Sequence, residues 1–122
     1  MDKLTNTFFT KDEYDTEIRL DVNEDVLERL YNDGVNPIDE LPIEFVFITD
    51  TNDKANKLKQ SLLLKYTTYN DLRVEQTDVY WEVHGITNVI KMDIDNINKW
   101  NEAMWDIGYN HDCQLDGWLV GC

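Results

Sequence analysis

The seven residues Ile43-Glu44-Phe45-Val46-Phe47-Ile48-Thr49 are β-branched or aromatic at every position but Glu44, too short a run for a helix and the right length for a strand. Pro37 and Pro42 bracket a short linker before it. Asp50 or Thr51 then offers a capping oxygen for a helix predicted over 52–66. On that helix Ala55, Leu58, Leu62 and Tyr66 fall within about 80° of one another, while Lys54, Lys57 and Lys65 take the far side. Tyr69-Asn70-Asp71 reads as a turn, after which Leu72, Val74 and Gln76 alternate with Arg73, Glu75 and Thr77 as a second strand. A third strand opens at Val79 and continues, with a bend at Gly85, to Ile90 or Met92. Asp93 caps a further helix, whose Ile94, Ile97, Trp100, Met104, Trp105 and Ile107 spread over an arc of about 160°, the width of a helix lying flat on a sheet. Gly108 through Asp112 ends it, and Leu115 to Val120 is a last strand.

The order βαββαβ makes a ferredoxin-like, split-βαβ sandwich the economical fold of an α+β chain. It predicts a four-stranded antiparallel sheet with two helices on one face, since right-handed crossovers place both helices on the same side. Ahead of it stands an N-terminal helical extension. Thr10-Lys11-Asp12-Glu13 and Asp21-Val22-Asn23-Glu24 both fit the capping box. After the second, Val22, Val26, Leu27, Leu30 and Tyr31 recur at helical spacing until Asn32-Asp33-Gly34 stops the helix, predicted over 22–33. Lys11 to Leu20 reads as helical with sparse apolar positions. The expected division is an acidic helical extension over 1–41 and the sandwich over 42–122, one structural unit in all.

The chain has 122 residues with 11 Lys+Arg against 25 Asp+Glu, a formal net charge of −14. That balance argues against direct nucleic-acid binding, which needs clustered cations to displace counterions. The charge is uneven: residues 1–44 carry 13 acidic and 4 basic side chains, residues 45–122 carry 12 and 7. At 42% hydrophobic residues the chain has too much apolar content for a disordered tail. No apolar run approaches the ~20 residues of a membrane span, and the first residues lack a signal-peptide pattern. A cytoplasmic protein, monomeric or weakly oligomeric, is expected.

Chemistry-bearing patterns are scarce. His84, His111 and Cys113 lack the paired spacing of a zinc site, although His111 and Cys113 could share a strand face. Asp93-Ile94-Asp95 opens like a calcium loop, but Ile97 and Met104 occupy later ligand positions. Ser61, the only serine, sits mid-helix without a nucleophile elbow. Cys113 and Cys122, in one extended segment, would stand ~30 Å apart, too far for a bridge. The residues therefore predict no enzyme, no cofactor and no metal. Trp100 is expected in the core; Trp118 covers a sheet edge or the open sheet face. The acidity has a sharper use as the partner of a basic protein segment, steered by charge, and Asp21, Glu24, Asp25 and Glu28 on the second helix are the candidate contacts.

Two stretches resemble a known family. Leu30-Tyr31-Asn32-Asp33-Gly34, then Asn36-Pro37 and the strand opened by Pro42-Ile43-Glu44, form the first; the helix of Ile97, Trp100 and Met104 leading into Leu115-Asp116-Gly117-Trp118 forms the second. Together, over about residues 22–120, they resemble the regulator of ribonuclease E activity B (RraB) family. The resemblance implies a small acidic ferredoxin-like sandwich whose closing strand carries a Tyr-Asp-Gly-Trp signature, here with Leu115 in place of the tyrosine. It also implies a non-enzymatic inhibitor that binds an endoribonuclease at its basic RNA-binding scaffold. Asp116, Gly117 and Trp118 are the residues it singles out. Asp-Gly would permit a sharp strand entry or a bulge, with glycine taking a conformation other residues resist, and Trp118 would pack on the sheet. Two rivals share the composition: an immunity or antitoxin-type protein neutralising a basic toxin, and a small ligand-binding ferredoxin-like domain, which would need a lined pocket.

Overall fold

A computed structural model describes residues 7–17 and 22–120. Its elements are α1 (Lys11–Glu17), α2 (Val22–Asn32), β1 (Glu40–Leu41), β2 (Ile43–Thr49), α3 (Asn52–Lys65), β3 (Asn70–Gln76), β4 (Trp81–Ile86), β5 (Ile90–Lys91), α4 (Ile94–Asn110) and β6 (Gln114–Val120). Local chemistry sets most boundaries. At α1, Thr10 and Glu13 exchange hydrogen bonds, the Thr10 N–H donating to the Glu13 carboxylate at 3.1 Å and the Glu13 N–H to Thr10 Oγ1 at 3.3 Å. Thr51 caps α3 by accepting from the Lys54 N–H, and Asp93 caps α4 by accepting from the Asn96 N–H. Gly34, with φ at +107°, takes the left-handed turn that stops α2. Asp21, Ile18 and Leu20 lie outside the described residues, and so does Cys122.

The four long strands form one sheet in the order β3-β4-β2-β6, every neighbouring pair antiparallel. β2 is therefore separated from β3, the next of these strands in sequence, by β4, and β4 from β6 by β2. Each of the two strand–helix–strand crossings has another strand slotted into it. Ile43, Phe45 and Phe47 point into the core beneath α3 and α4 with Val83, Leu115 and the wholly buried Leu58, Leu62, Ile97 and Met104. Each such apolar side chain contributes about 1.5–3 kcal/mol by leaving water. Glu44 and Val46 alternate onto the opposite face, which no described helix covers, together with His84, Arg73, Glu82 and Glu75.

Two glycines make room for close packing. Gly85 does not bend a continuing strand: a Cβ there would stand 2.6 Å from Leu72 Cδ2 and from Phe45 Cζ, so the residue makes room for those side chains. β4 ends at Ile86, and Ile90–Lys91 turns away to pair with Glu40–Leu41 in a separate two-stranded ribbon. α4 ends at Asn110, within the 108–112 stretch expected to stop it, and Gly108 lies in its last turn, where a Cβ would meet the Cys113 carbonyl oxygen at 2.6 Å and Phe47 at 2.9 Å.

The apolar arc of α4 is wide because the helix has two partners. One side lies on the sheet, with the Trp100 and Phe45 rings 6.2 Å apart. The other carries α1 and α2, and the wholly buried Phe9 packs its ring 5.3 Å from that of Trp105 and 5.9 Å from that of Tyr109. The N-terminal segment is tied down by Asp112. Its carboxylate accepts from the backbone N–H groups of Thr7 and Phe8 at 3.0 Å and of Phe9 at 2.6 Å, and pairs with Lys54 at 2.5 Å. Burial raises the Asp112 carboxyl pKa, but Lys54 and the three N–H donors outweigh it, and the net shift is downward.

Candidate protein-binding surface

Val22 to Asn32 is amphipathic, so the helix that buries Leu27 must turn its charges outward. Glu24, Asp25 and Glu28 are exposed and enter no ion pair among the described residues. Asp21, predicted beside them, is outside the described residues.

The Asp-Gly-Trp stretch lies on β6, at an edge of the sheet. Its pairing with β2 slips between Val46 and Phe47: Val46 faces Gly117 while Phe47 faces Leu115, which leaves Asp116 as the extra residue of a bulge. Of the two forms expected there, a sharp strand entry or a bulge, the strand has the bulge; the special glycine conformation expected with it is not found. Gly117 has no positive φ, and a Cβ on it would meet nothing within 4 Å. Asp116 is exposed and has no hydrogen-bond or ion-pair partner among the described residues. Trp118 is half-buried, its ring edge-on to Trp100 at 5.6 Å, so it covers the rim of the core. Trp100 itself is core, donating from Nε1 to the Tyr69 hydroxyl at 3.1 Å.

Between this bulge and the start of α2 is a pocket of about 130 Å³, bordered by Asn23, Asn101, Trp105, Leu115, Asp116 and Trp118 among others. Asn23 is fully buried, its Nδ2 donating to Asn98 Oδ1 at 2.9 Å and Asn101 Oδ1 at 3.3 Å, while its own Oδ1 is buried with no partner. A shallow cleft of about 310 Å³ lies on the other side of β6, against Val46, His84 and Leu119. These clefts are open; neither encloses a ligand-sized cavity within the core.

Several other polar groups are held by local ties. His111 and Cys113 each bond within the fold. His111 Nε2 sits 2.8 Å from Ser61 Oγ and its Nδ1 2.9 Å from the Ile107 carbonyl, latching α3 to α4 at the end of the latter. Cys113 is buried, which pushes its thiol pKa up to about 12. On the uncovered sheet face Glu75, Glu82 and His84 bring their ligand atoms within 4.8 Å, a set that could hold a cation. There Arg73 already pairs with Glu75 and with Asp71, and His84 with Glu82 at 2.8 Å.

A family model described as "RraB: Regulator of ribonuclease activity B" matches residues 20–120, from α2 through the end of β6. The chain belongs to the RraB family. No curated protein matches it. RraB membership covers both the acidic helix and the Asp116 bulge, and it assigns the chain to regulators of ribonuclease activity. No helix among the described residues is long and apolar enough to cross a membrane. Sequence reasoning missed the Asn23 pocket. Its one signal was an asparagine in register with Leu27 and Leu30, on the buried side of a helix.

Proposed function

We propose that this RraB-family chain regulates an endoribonuclease by binding a basic protein segment of it, catalysing nothing itself. The family match carries the reading; the net charge of −14 and the carboxylates of Glu24, Asp25, Glu28 and Asp116, which enter no ion pair among the described residues, support the choice of a cationic protein target. The strand order β3-β4-β2-β6 with its two interleaved crossings supports a ferredoxin-like assignment, with residues 42–122 as the domain and 1–41 as its acidic extension. The protein acts as a cytoplasmic monomer or weak oligomer.

Association with a basic ribonuclease segment should be fast and should slow steeply with salt. Changing Glu24→Gln, Asp25→Asn and Glu28→Gln together should cut the on-rate about tenfold at low salt and leave the off-rate nearly unchanged. Stopped-flow or surface-based kinetics at several ionic strengths measures both. An on-rate indifferent to salt and to these changes removes the electrostatic reading, and recovery of a toxin in place of the ribonuclease on pull-down favours the immunity-type rival.

A further inference from the structure

We infer that the pocket between α2 and the β6 bulge receives an arginine side chain of the partner. The inference rests on the function proposed above and names where that basic segment is read. Three independent features converge. Asn23 Oδ1 is a buried acceptor without a hydrogen-bond partner among the described residues, in a residue bordering the pocket; buried polar groups are nearly always paired, so a donor is wanted there. Reversing its amide alone would set its oxygen against the two asparagine oxygens on α4 that Nδ2 now meets. Asp116, the extra residue of the bulge, also borders the pocket, and its carboxylate has no partner among the described residues. Trp105 and Trp118 also border it, and a flat guanidinium stacks on indole surfaces better than an ammonium does.

At about 130 Å³ the pocket has room for a planar side-chain head and falls short of the roughly 300–1,000 Å³ of a drug-sized site. A guanidinium supplies only donors, and every polar oxygen it would meet is an acceptor. The N-terminal end of α2, which also borders the pocket, would by itself favour an anion. Glu24 and Asp25 in the first turn oppose that, and the missing partner is a donor. Asn23 is sealed from water in the unliganded protein, so a guanidinium reaches Oδ1 only as α2 yields slightly against α4.

The test uses the full chain and three capped tripeptides, Gly-Arg-Gly, Gly-Lys-Gly and Gly-citrulline-Gly, titrated while tryptophan fluorescence and the Asn23 side-chain amide NMR signal are followed. The arginine peptide should bind about tenfold tighter than the other two. Asp116→Asn, at an exposed side chain that leaves the fold intact, should weaken it by about fivefold to tenfold. Asn23→Ala, checked for folding by circular dichroism, should abolish the arginine preference. Equal binding of the three peptides, or of the arginine peptide by wild type and Asp116→Asn, overturns the inference. So does a peptide-soaked crystal whose pocket holds only a water against Asn23 Oδ1. A ribonuclease segment that binds wild type and Asp116→Asn equally well sinks the arginine pocket and leaves the proposed function standing. Arginine selectivity without binding of that segment leaves the pocket and sinks the function.

Discussion

Asp112 holds its backbone at φ 56°, in the left-handed region that aspartate tolerates better than most residues. From there one carboxylate gathers three N–H groups more than a hundred positions away and the Lys54 ammonium. Asp112→Asn keeps the shape and the backbone tolerance but loses the charge and one acceptor oxygen. It should cost about 2–3 kcal/mol in denaturant unfolding. Because the folded carboxyl titrates below its unfolded value, its contribution is fully present above about pH 4 and is lost as pH falls through the folded pKa. Stability measured from pH 6 to pH 2 should therefore decline less in Asp112→Asn than in wild type. Cys113, buried and with its thiol pKa raised to about 12, should resist thiol reagents in the native protein and react on unfolding.

At the scale of elements, Gly108 gives the sharpest expectation. Alanine inside a helix normally stabilises by up to about 1 kcal/mol over glycine. Here its Cβ would press on a backbone carbonyl 2.6 Å away that cannot swing aside. Gly108→Ala should therefore destabilise, by about 1–3 kcal/mol in thermal or denaturant melts. Trp100→Ala should cost about 3–5 kcal/mol, and Trp118→Ala, at the half-buried rim, less than Trp100→Ala. The helices and long strands were legible because caps, periodicity and β-branched runs are local signals: Thr51, Asp93 and the 43–49 run each stand where their chemistry puts them. The roles of Gly85 and Gly108 were not, since they depend on which distant side chain packs against them. The β1–β5 ribbon is too short to leave a period, and Phe9 gave no sign of burial because its cavity is assembled from α1 and α4.

On the scale of the whole molecule, α4 is the middle of three layers, and this unites what the composition had divided. The acidic N-terminal third shares a core with the sheet domain through Phe9, Leu27 and Trp105, so loss of either layer should be felt by both. Thermal unfolding followed by far-ultraviolet dichroism and by tryptophan fluorescence should give coincident transitions. Of the candidate site, the charged exterior and the bulge were legible from acid counts and an Asp-Gly pair. The pocket was not, because its walls come from α2, α4 and β6, which only the fold brings together.

The slip in register at Asp116 has one more consequence, for the company the sheet keeps with itself. A straight, apolar outer strand is a template on which a second copy can extend a fibril. Here one outer strand is kinked and carries a protruding carboxylate, and the other displays Asp71, Arg73 and Glu75. Neither margin offers a clean ladder for stacking. Smoothing the first by deleting Asp116 should raise thioflavin-positive assembly at high protein concentration.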